Sequence, residues 1–152
     1  MKLRKKLLEE SRLYIIVDKE ACGRRSLIDT ALKLKGPYCV IAQLRDKRSD
    51  KRSILRDALR LRNLFLNTKT IFIINDYLDI AKIADADGIH LGQGDSSIET
   101  ARKILGDDKI IGISCHSLKE ALEASKNVAH FYRLAVSSDY SHPVIRWPSE
   151  RF

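Results

Sequence analysis

A chain of 152 residues with 44% hydrophobic content is long enough for one domain with its own core and too apolar to be disordered. Its net charge of +8 suits nucleic acid or phosphorylated small molecules, but Lys and Arg are scattered along helix-like stretches such as RSILRDALRLRNL, the pattern of a solvated helix face. No apolar run approaches the roughly 20 residues that span a bilayer, and the basic start MKLRKKLLEE runs into glutamates instead of a signal core. No membrane segment is expected, and the expected location is cytoplasmic. Cys22, Cys39 and Cys115 are odd in number and contain no C-x-x-C pair, which excludes a disulfide framework and a zinc knuckle.

LYIIVD, residues 13–18, is a short apolar run that reads as a strand, and RRSLIDTALKLKG after it carries apolar residues at three- and four-residue steps. YCVIAQLRDK (38–47) is the second strand, followed by the helical pattern DKRSILRDALRLRNLFL. TIFIIND then precedes YLDIAKIAD, DGIHL precedes SSIETARKILG, and KIIGISCH precedes SLKEALEASKN. Ser96 with Glu99 and Ser117 with Glu120 have capping-box spacing, and Gly36 and Gly106 stand where helices are expected to stop. Five consecutive β-α units predict an α/β fold with a parallel sheet covered by helices, either doubly wound or a β/α barrel. Both put function at the carboxyl ends of strands. The dinucleotide fingerprint G-x-G-x-x-G is missing from VDKEACGRR after the first strand, and GQGDSS has Ser97 at the third position.

The polar residues closing each strand carry the chemistry. Along Gln43-Leu44-Arg45-Asp46-Lys47, alternation puts Gln43, Arg45 and Lys47 on one side and Leu44 and Asp46 on the other. A planar fork of donors beside a compact ammonium suits a diphosphate; the bland alternative is a basic strand-to-helix loop. Asn75-Asp76 follow the third strand and Asp95 the fourth. Magnesium takes one or two carboxylates and fills its octahedron with water and substrate phosphate, so Asp76 and Asp95 beside Arg45 and Lys47 fit a metal-diphosphate site. Helix capping by either aspartate is the competing reading. The fifth strand end, Gly112-Ile113-Ser114-Cys115-His116, holds a Ser-x-His pair. Residues two apart on an extended segment stand about 6–7 Å apart, and no third orienting acid is evident, which argues against a nucleophilic hydrolase. Ser114 therefore reads as a polar contact, Cys115 as a small half-buried residue and His90 as an interior histidine.

On these residues the sequence resembles the thiamine-phosphate synthase family of β/α (TIM) barrel enzymes. QLRDK resembles the family's diphosphate-binding strand end, IIND its next strand end, ADGIHLGQGD its metal loop and GISCHS its fifth strand end, in the same order across residues 13–129. The resemblance implies that Gln43, Arg45, Lys47 and Asn75 contact a pyrimidine diphosphate, that Asp76 and Asp95 hold Mg2+, and that Ser114 lines the pyrimidine pocket. It implies a transferase of thiamine biosynthesis that joins 4-amino-2-methyl-5-(diphosphomethyl)pyrimidine to a thiazole phosphate, giving thiamine phosphate and diphosphate. Arg45 and Lys47 would stabilise the leaving diphosphate, and no protein nucleophile is required. Val17, where the family often has threonine, and Cys115 are small departures.

A barrel of this class needs eight strands and about 250 residues. The expected architecture is thus an incomplete barrel, about five of eight βα units in residues 1–129. Residues 130–152 lack the Gly-Pro-x-x-x-Thr-x-x-Lys loop and the glycine-rich phosphate loops that the resemblance calls for, and are expected to be irregular, the C-terminal part being truncated or frameshifted. The thiazole-phosphate half of the site is then missing and activity absent or impaired, while unpaired sheet edges favour self-association. Two other readings are a thiazole tautomerase-like paralogue, against which Arg45, Lys47 and both aspartates argue, and a noncatalytic basic fragment binding nucleic acid. No aromatic-basic stripe or recognition helix supports the latter. The expected partners are small molecules, with no nucleic acid and no membrane.

Overall fold

Short β-branched runs alternate with amphipathic helices in the computed structural model, which describes residues 2–11, 13–36, 40–126, 131–134 and 144–146. The order is α1 (Lys2–Glu10), β1 (Leu13–Asp18), α2 (Lys19–Cys22), α3 (Leu27–Leu32), β2 (Val40–Arg45), α4 (Lys51–Phe65), β3 (Ile71–Asn75), α5 (Leu78–Ile83) and β4 (Gly88–Leu91). It continues with α6 (Ile98–Leu105), β5 (Ile110–Cys115), α7 (Leu118–Lys126), β6 (Phe131–Leu134) and β7 (Val144–Arg146). The strands lie side by side in sequence order, β1 to β6 parallel and β7 antiparallel to β6. Helices α3 to α7 fall within the five predicted helical patterns, while α1 and α2 were not anticipated.

Because side chains alternate along a strand, the sheet sorts its apolar residues onto two faces. On one face Ala42, Leu44, Phe72, Ile74, Ile89 and Leu91 share a core with helix residues such as Ala31, Leu61 and Phe65. The Phe65 and Phe72 rings meet there, tilted by 45° with centroids 5.9 Å apart. On the other face Ile41, Ile71 and Ile110, toward the amino ends of their strands, and Ile73 at the middle of β3 form a second cluster closed by Leu7 and Leu8 of α1 and by Tyr14. The carboxyl half of that second face is left to polar residues, and the site lies there.

The segment expected to be irregular contributes two short strands. β6 pairs with β5 from Gly112↔Phe131 to Cys115↔Leu134, covering an edge that five strands alone would leave open. Nine residues, 135–143 (143 − 135 + 1), separate β6 from β7. A parallel crossover requires about a dozen or more, so β7 returns antiparallel, unlike the strands of a barrel that is parallel throughout. Among the described residues no pairing joins β7 to β1, and the sheet is open. No described helix is long and apolar enough to cross a membrane.

Helix ends follow the predicted chemistry with small shifts. Asp50 caps α4 by accepting from the Ser53 N–H at 3.0 Å. Ser97, not Ser96, caps α6 and accepts from the Thr100 N–H at 3.2 Å. Gly106 ends α6 at φ 84°, whereas α3 stops at Leu32, short of Gly36.

Candidate functional site

Polar residues on the carboxyl half of the second face, buried or half-buried, are matched in pairs. Gln43, 2% exposed, donates from Nε2 to Asn75 Oδ1 at 2.9 Å, linking β2 to β3. His90 Nε2 and Ser114 Oγ share a hydrogen bond of 2.9 Å, linking β4 to β5. Ser114 therefore meets His90 across the sheet, while the backbone N–H of His116 donates to the Glu120 carboxylate at 2.7 Å. His90 is the interior histidine the sequence predicts. Cys115 is fully buried, not half-buried; burial foremost, then the Glu120 charge, pushes its thiol up to about 11, so it is no thiolate at neutral pH.

Above this layer lies a charged rim. Asp18 and Arg45 are register partners at the ends of β1 and β2 and form an ion pair. Asp18 also caps α2, accepting from the Glu20 and Ala21 N–H groups at 2.8 and 3.0 Å. Burial pushes the Asp18 carboxyl up, but the Ala21 N–H and the Arg45 guanidinium outweigh it and hold it below the usual range. Sequence reasoning missed Asp18; its signal was a carboxylate closing the first strand as others close the third and fourth. Asp46 turns away as alternation predicts, accepting from the Arg48 and Ser49 N–H groups at 3.0 and 2.9 Å and bending the chain so that Lys47 stands at the rim.

Lys47 pairs with Asp76. Asp76 is left-handed, with φ 62°; its N–H donates to the His90 carbonyl at 2.9 Å and the next N–H, of Tyr77, to the Asn75 carbonyl at 2.8 Å. Tyr77 is the N-cap of α5 and Ser97 that of α6, so neither Asp76 nor Asp95 serves as a cap. Asp95 Oδ2 accepts from the Gly92 N–H at 2.6 Å, and Gln93 Nε2 donates to the Ser114 carbonyl at 2.6 Å, pinning this loop to the end of β5. Gln93 is a second residue that sequence reasoning passed over. Burial raises the proton affinity of Asp76, Lys47 opposes it, and the adjacent Asp95 carboxylate raises it again, leaving it above the ordinary value.

Of the predicted residues, Lys47, Asp76 and Asp95 meet one another and Gln43 meets Asn75, whereas Arg45 pairs with Asp18 and Ser114 with His90 at the neighbouring strand ends. A cavity of about 730 Å³ is lined by Lys47, Asp76 and Asp95 together with Tyr77 and residues of α5; Gln43, Arg45, Asn75 and Ser114 are not among its lining residues. Chemically, the rim offers a guanidinium and an ammonium for phosphate oxygens and two adjacent carboxylates for a cation.

A family model described as thiamine monophosphate synthase matches residues 13–136, taking in β6. Thiamine-phosphate synthase of Shouchella clausii is 43% identical over 120 residues, covering 79% of this chain and 57% of that one. The same-named protein of Halalkalibacterium halodurans is 45% identical over 124 residues, covering 82% and 59%. The solved structure of thiamine phosphate pyrophosphorylase from Pyrococcus furiosus superposes with a TM-score of 0.73 at 32% identity, over 88% of this chain and 62% of that one. The chain thus spans a little over half the length of the curated relatives it matches. With the family match running through every strand that builds the rim, the chain belongs to the thiamine monophosphate synthase family.

Proposed function

We propose that the rim binds an aminopyrimidine diphosphate with Mg2+ and serves its transfer to a thiazole phosphate, the reaction that forms thiamine phosphate. The observation that carries this reading is the meeting of Lys47 with the paired carboxylates Asp76 and Asp95 past the ends of β2, β3 and β4, with Arg45 held on Asp18 at the end of β2. Among the described residues no group of three or more His, Cys, Asp and Glu is poised for a metal. Two carboxylates nevertheless fit Mg2+, which draws its other ligands from water and substrate phosphate. Bound there, Mg2+ supplies Lewis-acid neutralisation of charge on the diphosphate.

Arg45, held by Asp18, presents its fork to phosphate oxygens, and Lys47 adds a mobile point charge. Both are more valuable as the carbon–oxygen bond breaks and charge collects on the leaving diphosphate. Gln43, Asn75 and Ser114 lie deeper, where hydrogen-bonding groups suit the ring of the aminopyrimidine; the electron-rich ring supports cationic character at the methylene carbon. The thiazole nitrogen then forms the new bond, and no side chain needs to act as nucleophile.

Supplied with Mg2+ and both substrates, the chain is expected to form thiamine phosphate and diphosphate one for one, at a rate impaired by the missing thiazole-phosphate half of the site, and removal of Mg2+ to abolish both. Conversion of a thiazole phosphate isomer without consumption of the pyrimidine would instead assign tautomerase chemistry.

A further inference from the structure

The two rim cations are held in different ways. Asp18 is anchored by the Glu20 and Ala21 N–H groups, so its pair with Arg45 is part of the scaffold. Among the described residues no backbone N–H anchors the Asp76 carboxylate; its partner is the Lys47 ammonium, on a flexible stem with half of the side chain exposed, 49% against 16% for Asp76. Asp95 stands beside it, and two adjacent carboxylates need a positive charge between or against them. Lys47 supplies it.

We propose that Lys47 is an internal cation standing in for the metal on Asp76, exchanged for a divalent cation when diphosphate arrives to receive the released ammonium. This inference rests on the diphosphate reading of the site. A divalent cation alone must displace Lys47 and leave it without a counter-charge. With diphosphate present the ammonium moves onto phosphate oxygens, and the carboxylates pass to the metal. Metal and diphosphate therefore each tighten the binding of the other, by the same factor.

The test is calorimetric titration of the whole chain with Mn2+, alone and with saturating inorganic diphosphate, for wild type, Lys47→Met, Lys47→Arg and Lys51→Met. The Lys47 side chain is half exposed, and thermal unfolding checks that each variant is folded. Lys47→Met is expected to bind Mn2+ alone about fivefold tighter than wild type, the scale of one half-exposed ion pair. The enhancement by diphosphate is expected to fall by a similar factor. Lys47→Arg keeps the charge and is expected to stay near wild type. Lys51→Met removes a cation that pairs with Asp79 and not with Asp76, and is expected to change Mn2+ affinity less than about twofold, which separates exchange from a general field effect.

Equal Mn2+ affinity in wild type and Lys47→Met, with metal-dependent diphosphate binding intact, would overturn the exchange alone. An equal gain in Lys51→Met would do the same. Absence of Mn2+ binding in every protein, even with diphosphate, would overturn the metal site and the exchange with it.

Discussion

Asp76→Asn is expected to lower Mg2+-dependent affinity for diphosphate by about 100-fold or more while leaving the fold at least as stable as wild type. Losing an outer-shell partner of a metal ligand typically costs about 10- to 100-fold, and the ligand itself is worth more. The backbone keeps its geometry, because φ 62° at this position suits Asn as well as Asp. Stability follows from the raised proton affinity of Asp76, set by burial and by Asp95 against the pull of Lys47. A carboxyl that holds its proton more tightly in the folded chain loses stability as pH rises from its ordinary 3.8 through the raised folded value. Above that window the ionised group destabilises the fold, so Asn removes a cost at pH 7; below about pH 3.8 the two proteins converge. Calorimetry and thermal unfolding at two pH values measure both effects. An Asn variant that keeps metal-dependent binding would remove Asp76 from the metal site.

Gly88→Ala is expected to destabilise the fold by about 3 kcal/mol, the upper range for overpacking. A Cβ at Gly88 would stand 2.2 Å from the Ile110 carbonyl oxygen and 2.8 Å from Ile110 Cβ, where no contact is tolerated. The backbone has nowhere to go, because the adjacent Asp87 ties three strands together. Its N–H donates to the Phe72 carbonyl at 2.9 Å, its carboxylate accepts from the Phe72 N–H at 3.0 Å, and its carbonyl accepts from the Ile110 N–H at 2.9 Å. Relief by separating β4 from β5 would also pull His90 from Ser114, so ligand binding should weaken along with stability. Gly94→Ala, where an added Cβ meets nothing within 4 Å, is the control, expected within about 0.5 kcal/mol. Urea unfolding distinguishes the two; equal midpoints would show that β4 and β5 are less closely packed than described.

The rim was legible because a parallel sheet makes strand ends easy to find and alternation fixes which side chains share a face. Gln43, Arg45 and Lys47 on one side and Leu44 and Asp46 on the other follow from period two alone. What pairs with what was not legible. Asp18 meets Arg45 and His90 meets Ser114 through strand register, and no local pattern encodes register between segments 24 to 27 residues apart. Capping by Asp76 and Asp95 was a fair expectation from spacing. It gave way because each helix starts later, at Leu78 and Ile98, leaving both carboxylates clear of the helix ends. Helix α1 was hidden by its basic composition, its Leu7 and Leu8 contacting strands far along the chain. β6 is a four-residue run whose strand character comes from the β5 edge it pairs with, a tertiary cause absent from the local pattern.

The most direct measurement is calorimetric titration of this chain with the aminopyrimidine diphosphate, in excess Mg2+ and again in excess chelator. A diphosphate site built on Arg45, Lys47, Asp76 and Asp95 predicts saturable one-to-one binding that weakens by about tenfold or more when Mg2+ is removed. Absence of binding in both titrations, or equal affinity in both, would contradict it.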